Sequence, residues 1–282
     1  MLVAALIAGA AIAHATWNIA LKRAGASGIG FLWLTFAVGA IVFAPFGIAS
    51  LSAVDLGRWA PLALVSGALQ VGYFVVLQHA YRVGDVSVVY PLARGTGPLL
   101  SVILAILLLG ERPGWLALLG AGVVVAGVVV VGFEGGRAAA SINRAGVIWG
   151  LLVGVLIAAY TLWDASAVTV GGMPPVGLYW GSVVVQLLLT AWPALRHGQR
   201  TLATARSHWR AVLVVGVLSP LAYILILLAI QLAPVSIVAP AREVSVVLVS
   251  LAGWLLFREP HPGQRLLGAA FVLAGVALLA LG

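Results

Sequence analysis

Arg94 stands inside an apolar run from Val86 to Leu109, and Arg242 with Glu243 inside a second run from Val235 to Leu256. A guanidinium is a rigid planar fork of donors that matches a carboxylate in bidentate fashion. Either arginine can therefore seat an acidic group or hold a gate. Glu243 directly follows Arg242, and adjacent helix positions do not face each other, so Glu243 needs a different partner or a proton. That makes it a candidate for coupling or gating. Other polar groups are scattered through further apolar runs: His14, Trp17 and Asn18; Gln70 and Tyr73; Tyr90; Tyr160, Trp163 and Asp164; and Tyr223. A few hydrogen-bonding groups among aromatic rings and aliphatic walls is the make-up of a small-molecule site.

Several chemistries are absent. There is no cysteine, so disulfides and thiolate metal sites are excluded. No HExxH, no GxSxG elbow and no carboxylate cluster occurs. Lys22 is the only lysine, which rules out the phosphate-binding pattern GxxxxGK[ST] and ATP-driven pumping by this polypeptide. The expectation is a protein that is not an enzyme, with no cofactor and no metal.

The segments that must position these groups lie in a membrane. Of 282 residues, 63% are hydrophobic and 8% charged, where a soluble domain averages roughly 25% charged. Apolar runs recur along the chain, each long enough for a hydrocarbon core of about 30 Å. Ten helices are expected, at 3–21, 29–49, 60–81, 86–109, 114–132, 146–169, 175–195, 210–231, 235–256 and 263–281. The net charge of +8 then belongs to short loops that set orientation and meet anionic lipid, and not to nucleic-acid binding. Gly146, Gly150 and Gly154 have the small-xxx-small spacing that lets membrane helices approach closely.

The second half of the chain echoes the first. Trp17-Asn18 corresponds to Trp163-Asp164, VSVVYPLAR (86–94) to VSIVAPAR (235–242), LLLGERP (107–113) to WLLFREP (254–260), and Ala126-Gly127 to Ala274-Gly275. The chain thus reads as two five-helix repeats, 1–137 and 138–282. An odd number of crossings forces the copies into opposite orientations. Charge follows membrane side and not repeat position: loops after odd-numbered helices carry 11 basic residues, and loops after even-numbered helices carry Arg58 and Arg112. By the positive-inside rule the odd loops are cytoplasmic and both termini lie outside. The fold class is therefore all-α integral membrane, ten transmembrane helices as two inverted-topology five-helix repeats. Inverted repeats are the architecture of secondary transporters, with the substrate site near the midplane between the copies. Nothing resembles a channel filter of charge rings or carbonyls.

Two readings of the buried polar groups stay open. Arg94 and Arg242 sit at mirrored depths on opposite leaflets, about eight and seven residues from their nearer helix ends. Each either snorkels and caps helix carbonyls, or faces a cavity. Trp17 and Trp163 lie near helix ends, where an interfacial anchor competes with a cavity wall. His14 is either a packing residue or a proton carrier. In the functional reading Trp17, Trp163, Tyr73, Tyr90 and Tyr160 wall a cavity. His14, Asn18, Gln70, Arg94, Tyr223 and Arg242 contact substrate, and Glu243 and Asp164 couple or gate. Gln78 and His79 are lesser candidates.

HATWN in the first helix and PLARGTGPLLSVILAILLLGERP through the fourth resemble the drug/metabolite transporter superfamily, in its ten-helix EamA-type branch, over essentially the whole chain. The resemblance implies a multi-pass protein of the bacterial inner membrane exporting small metabolites, most closely the aromatic and neutral amino acids. It also implies termini in the cytoplasm, the reverse of the charge count. Efflux of lipophilic cations is the alternative, since aromatic faces attract cations too. Small-molecule substrate and membrane lipid are the expected partners, and a monomer suffices.

The charge count makes a direct prediction. In this cysteine-free background, a single cysteine at Gly198 is expected to react with a membrane-impermeant maleimide in inside-out vesicles and not in intact cells; the opposite pattern would reverse the assigned orientation.

Overall fold

The computed structural model describes residues 1–25, 28–52, 54–132, 144–257 and 262–282. The described chain is helical: α1 (Leu2–Ala24), α2 (Ile29–Ser50), α3 (Leu56–Val83), α4 (Val86–Leu108), α5 (Trp115–Gly132), α6 (Arg144–Thr169), α7 (Pro175–Arg196), α8 (Gly198–Ser207), α9 (Trp209–Ile230), α10 (Val235–Ala241), α11 (Val244–Phe257) and α12 (Pro262–Leu281). Ten spans are long and apolar enough to cross a membrane, with α10 and α11 together forming the ninth. Lipid offers no hydrogen bonds, so each crossing must satisfy its backbone internally, which helices do. Local signals set the ends. Gly25 closes α1 in the left-handed region at φ 59°, and the Asp55 carboxylate accepts the Gly57 N–H at 2.9 Å to cap α3.

Two differences from the expected helices matter. The stretch at 198–207, expected as loop, forms α8, a short amphipathic helix whose Thr201 hydroxyl donates to the Ala194 carbonyl at 2.8 Å. The ninth crossing, expected as one helix, is broken at Arg242–Glu243. There the Glu243, Ser245 and Val246 amides donate to carbonyls three residues back, at 3.0, 3.2 and 2.8 Å. This tightening follows Pro240, which supplies no amide of its own.

Packing relates the two halves. In repeat terms α1 to α5 correspond to α6, α7, α9, α10–α11 and α12. α5 packs on its own counterpart α12, and α2 on its counterpart α7; α4 packs on α6 as α11 does on α1, and α1 on α9 as α6 does on α3. Exchanging the copies leaves this pattern unchanged. The α5–α12 seam also gives direction: a Cβ on Gly120 would lie 2.7 Å from the Gly275 carbonyl oxygen, and one on Gly127 2.7 Å from that of Gly268. Equivalent helices therefore run antiparallel, as inversion requires. The glycine stripe on α6 faces α4, with Gly146 against Gly84, Gly150 against Val89 and Leu92, and Gly154 against Thr96.

The seam is close enough that substitution should register. Gly127→Val would press on the Gly268 oxygen and the Val272 amide nitrogen, both 2.7 Å from the new Cβ, and is expected to cost about 1–3 kcal/mol. Gly122→Val, with nothing within 4 Å, should leave the thermal midpoint of the detergent-solubilised protein unchanged. Equal midpoints for the two variants would refute the contact.

Candidate functional site

At mid-membrane, α1, α3, α4, α6, α7, α9 and the α10–α11 junction surround a cavity of about 150 Å³, with His14, Trp17, Gln70, Tyr73, Arg94, Tyr160, Tyr179, Tyr223 and Arg242 in its wall. The junction explains how it is charged. Because the helix is interrupted there, two consecutive side chains reach the interior. Glu243, 1% exposed, lies 3.5 Å from Arg242 Nε and 3.5 Å from Arg94 Nη1. The expectation that Glu243 must find a partner other than its neighbour is thereby corrected: it holds both arginines. The two arginines enter from opposite leaflets and approach each other near the midplane. From depths of about 12 Å and 10 Å at 1.5 Å per residue, a core near 30 Å leaves them roughly 8 Å apart, and one carboxylate spans that gap.

The remaining donors of the arginines are placed. Arg94 Nη2 is 3.2 Å from His14 Nε2, and since a guanidinium only donates, the imidazole nitrogen is the acceptor. Arg242 Nη1 donates to the Thr161 hydroxyl at 3.3 Å. Arg94 also lies over the Tyr90 ring, 5.9 Å from its centroid. With its side chain 23% exposed to the cavity, Arg94 is the cation that substrate can meet most directly.

Rings line the opposite wall. Tyr160 meets Tyr73 and Tyr223 edge-on at centroid distances of 5.8 and 5.9 Å, and Tyr179 packs on Tyr223 at 4.8 Å. Trp17 packs edge-on against His14 at 4.9 Å, and its buried indole N–H has no partner, an open donor at the cavity wall. The two repeat-equivalent tryptophans diverge. Trp163 lines neither cavity described here; its N–H donates to the Leu62 carbonyl at 3.0 Å and braces α6 to α3. Its expected place in the wall is taken by Tyr179. Asp164 is fully buried behind the wall, accepting from Tyr223 Oη at 2.9 Å and Gln70 Nε2 at 3.4 Å. Glu243 likewise touches the cavity only through the arginines.

A second space, of about 780 Å³, continues outward from the first and is lined by Trp17, Asn18, Tyr73, Gln78, Tyr81, Tyr90 and Arg94 among mainly apolar side chains. It runs towards Leu21, Gly28 and Arg82, at the ends of helices beside the basic loops. His79 stands apart, tilted against Trp149 at 4.3 Å. The other end is pinned. The Glu111 carboxylate accepts the Val235 and Ser236 amides at 2.7 and 2.9 Å, the Trp59 N–H donates to the Gly177 carbonyl at 3.1 Å, and Gln231 Nε2 to that of Val168 at 3.4 Å. Glu111 thus ties the end of α4 to the start of α10, where a helix N-terminus favours an anion. Its repeat counterpart Glu259 lies outside the described residues.

Tyr179, Gln186, Ser66, Ser182 and Glu111 were not singled out from the sequence. Gln186 carries the signal that flagged Gln70, an amide in an apolar run, whereas Glu111 at a helix end looks like an ordinary loop acid.

Ten crossings in two related halves, around a polar cavity closed at one membrane face, define a membrane transporter. The model of the EamA-like transporter family matches residues 1–133 and again 144–281, and the chain belongs to that family. It is similar to the probable terminal-alkyne amino-acid exporter of Streptantibioticus cattleyicolor, with 27% identity over 276 residues, 93% of this chain and 86% of that protein. A crystal structure at 20% identity superposes with a TM-score of 0.75, covering 99% of this chain and 96% of the other, which bears on the fold alone.

The ion cluster should show coupled energetics. Glu243→Gln leaves two guanidiniums facing each other and is expected to lower stability by about 2 kcal/mol, less than the roughly 3–5 kcal/mol of a dry pair because Arg94 is partly wet. Arg94→Met combined with Glu243→Leu should cost clearly less than the two single changes together. Additive midpoint shifts in detergent would contradict the pairing.

Proposed function

We propose that this protein exports small zwitterionic metabolites, with apolar and aromatic amino acids as the best fit, across the bacterial inner membrane by alternating access around the Arg94–Glu243–Arg242 cavity. The observation that carries the reading is charge: the cavity wall presents two guanidiniums, and the one carboxylate between them is already engaged by both. Such a wall attracts a carboxylate and repels a lipophilic cation, which argues against multidrug efflux. The tyrosines and Trp17 offer flat apolar surface for a side chain. The amino-acid exporter among the relatives fits the same substrate class. The polypeptide carries cargo unchanged and is not an enzyme, and the cavity is built within one chain, so a monomer is sufficient.

The described geometry corresponds to one end of a cycle, open towards the basic loops and pinned at the opposite face. With the basic loops in the cytoplasm it is the loading state of an exporter. Release requires the pins at Glu111, Trp59 and Gln231 to part while the wide space at the other end closes.

Counterflow in proteoliposomes loaded with phenylalanine, leucine, alanine or a tetraphenylphosphonium salt tests this. Saturable exchange of phenylalanine and leucine is expected, reduced about tenfold by Arg94→Gln, as loss of about 1.4 kcal/mol of binding implies, and reduced also by Tyr73→Ala. Tetraphenylphosphonium transport without amino-acid exchange would establish the efflux alternative, and ungated ion current in a planar bilayer would exclude both.

A further inference from the structure

The substrate cavity leaves one buried ionisable group unused. Asp164 is fully buried, and among the described residues no cation lies within ion-pair distance of it. Its Oδ2 accepts from Tyr223 Oη at 2.9 Å and Gln70 Nε2 at 3.4 Å, the Ser66 hydroxyl lies beside the carboxyl as a further neutral donor, and no donor is aligned on its Oδ1. The shell behind it is neutral. Gln70 Nε2 also reaches the Ser66 and Ser182 hydroxyls at 3.2 Å each, and Gln186 Nε2 reaches Gln70 Oε1 at 3.2 Å and Ser182 Oγ at 3.1 Å. An unpaired carboxylate inside a bilayer is costly, and a bound proton would remove that cost.

We infer that Asp164 is a proton-binding site that couples export to proton entry, loaded from the cavity through the Tyr223 hydroxyl. This deepens the export reading and rests on it. The route follows from contact. Tyr223 lies in the inner cavity wall and touches Asp164. A cavity water gives a proton to the phenol oxygen as the phenol passes its own proton to Asp164 Oδ2, so Tyr223 ends unchanged and one proton has moved. No cavity described here is lined by Asp164 itself, so Tyr223 and Gln70 are what separate it from water.

The other candidates are committed elsewhere. Glu243 is held by two guanidiniums, and His14 Nε2 faces Arg94, where a proton would set cation against cation. The groups facing Asp164 are Tyr223 on α9, Tyr179 on α7, Tyr160 on its own helix, and Arg242, which reaches α6 one turn away at Thr161. A sodium ion would need oxygens converging on the acid, and the Gln70 amide nitrogen points at it instead.

Competition then supplies antiport. Ionised, Asp164 attracts a substrate ammonium at the Tyr223–Gln70 wall while Arg94 holds the carboxylate. Protonated, it does not, and the cavity left with a net positive charge releases the zwitterion. One proton enters for each substrate that leaves.

The test uses wild-type and Asp164→Asn protein in liposomes, with potassium and valinomycin clamping the potential. An acidic interior should drive uphill uptake of radiolabelled phenylalanine, about tenfold for one pH unit at one proton per substrate. Asp164→Asn, fixed in the neutral form, should need a several-fold higher phenylalanine concentration for counterflow and should lose the response to the pH gradient. Infrared difference spectra should show the C=O stretch of a protonated carboxyl that vanishes in Asp164→Asn and shifts in Tyr223→Phe, a readout that needs only folded protein. Wild-type counterflow indifferent to pH, driving by a sodium gradient instead, or a pH response retained in Asp164→Asn would each overturn the assignment while leaving export standing. Absence of counterflow in the wild type would remove the export reading and this one with it.

Discussion

The carboxylate of Glu243, suspended between Arg94 and Arg242, is the interaction on which the rest of the interior depends. It joins α4 of the first half to the α10–α11 junction of the second. It also gives both guanidiniums a reason to remain inside hydrocarbon, where an unpaired charge costs several kcal/mol. The arrangement exists only because the ninth crossing is interrupted at Arg242–Glu243. A continuous helix would turn consecutive residues about 100° apart, and Glu243 would miss one of its partners. Discontinuous helices that present polar groups at the midplane are a recurrent solution for binding sites in inverted-repeat transporters.

Around that centre the helices differ in how firmly they are joined. The α5–α12 seam brings glycine backbones together, with facing pairs Gly120–Gly275 and Gly127–Gly268, and contributes nothing to the cavity wall. The helices that line the cavity also meet at close glycine contacts, as α6 does on α4, and are joined besides by polar contacts such as Trp163 to Leu62 and Glu111 to the start of α10. Contacts of that kind can be exchanged for others at modest cost, whereas a backbone-to-backbone seam cannot slide without opening voids.

Much of this was legible beforehand. Apolar length alone placed ten crossings to within a few residues, and the spacing of Gly146, Gly150 and Gly154 marked a close helix contact, which α6 makes with α4. Polar residues in apolar runs pointed to His14, Gln70, Tyr73, Arg94, Tyr160, Tyr223 and Arg242, and all of them converge on one cavity. What escaped was three-dimensional. The rule that neighbours on a helix do not meet fails where the helix is broken, and Pro240 alone does not say whether it kinks or breaks. Tyr179 was passed over because a tyrosine near a helix end reads as an interfacial anchor. The helix at 198–207 was missed because its polar face dominates its composition.

The two copies have kept their packing and given up their chemical symmetry, and the loss is informative. Trp17 faces the cavity with an unpaired N–H, while Trp163 at the equivalent position is a brace. Asn18 lines the outer space, while its counterpart Asp164 is sealed behind the tyrosines. In a symmetric carrier the two end states would have equal energy, and nothing in the protein would distinguish the two faces of the membrane. Under the proposed proton coupling, placing the only unpaired buried acid among the described residues on one side of the pseudo-symmetry axis makes the energies of the two states respond differently to a proton. In the proposed coupling the proton gradient sets the direction of net transport, and the acid in one copy is the group through which the protein responds to that gradient.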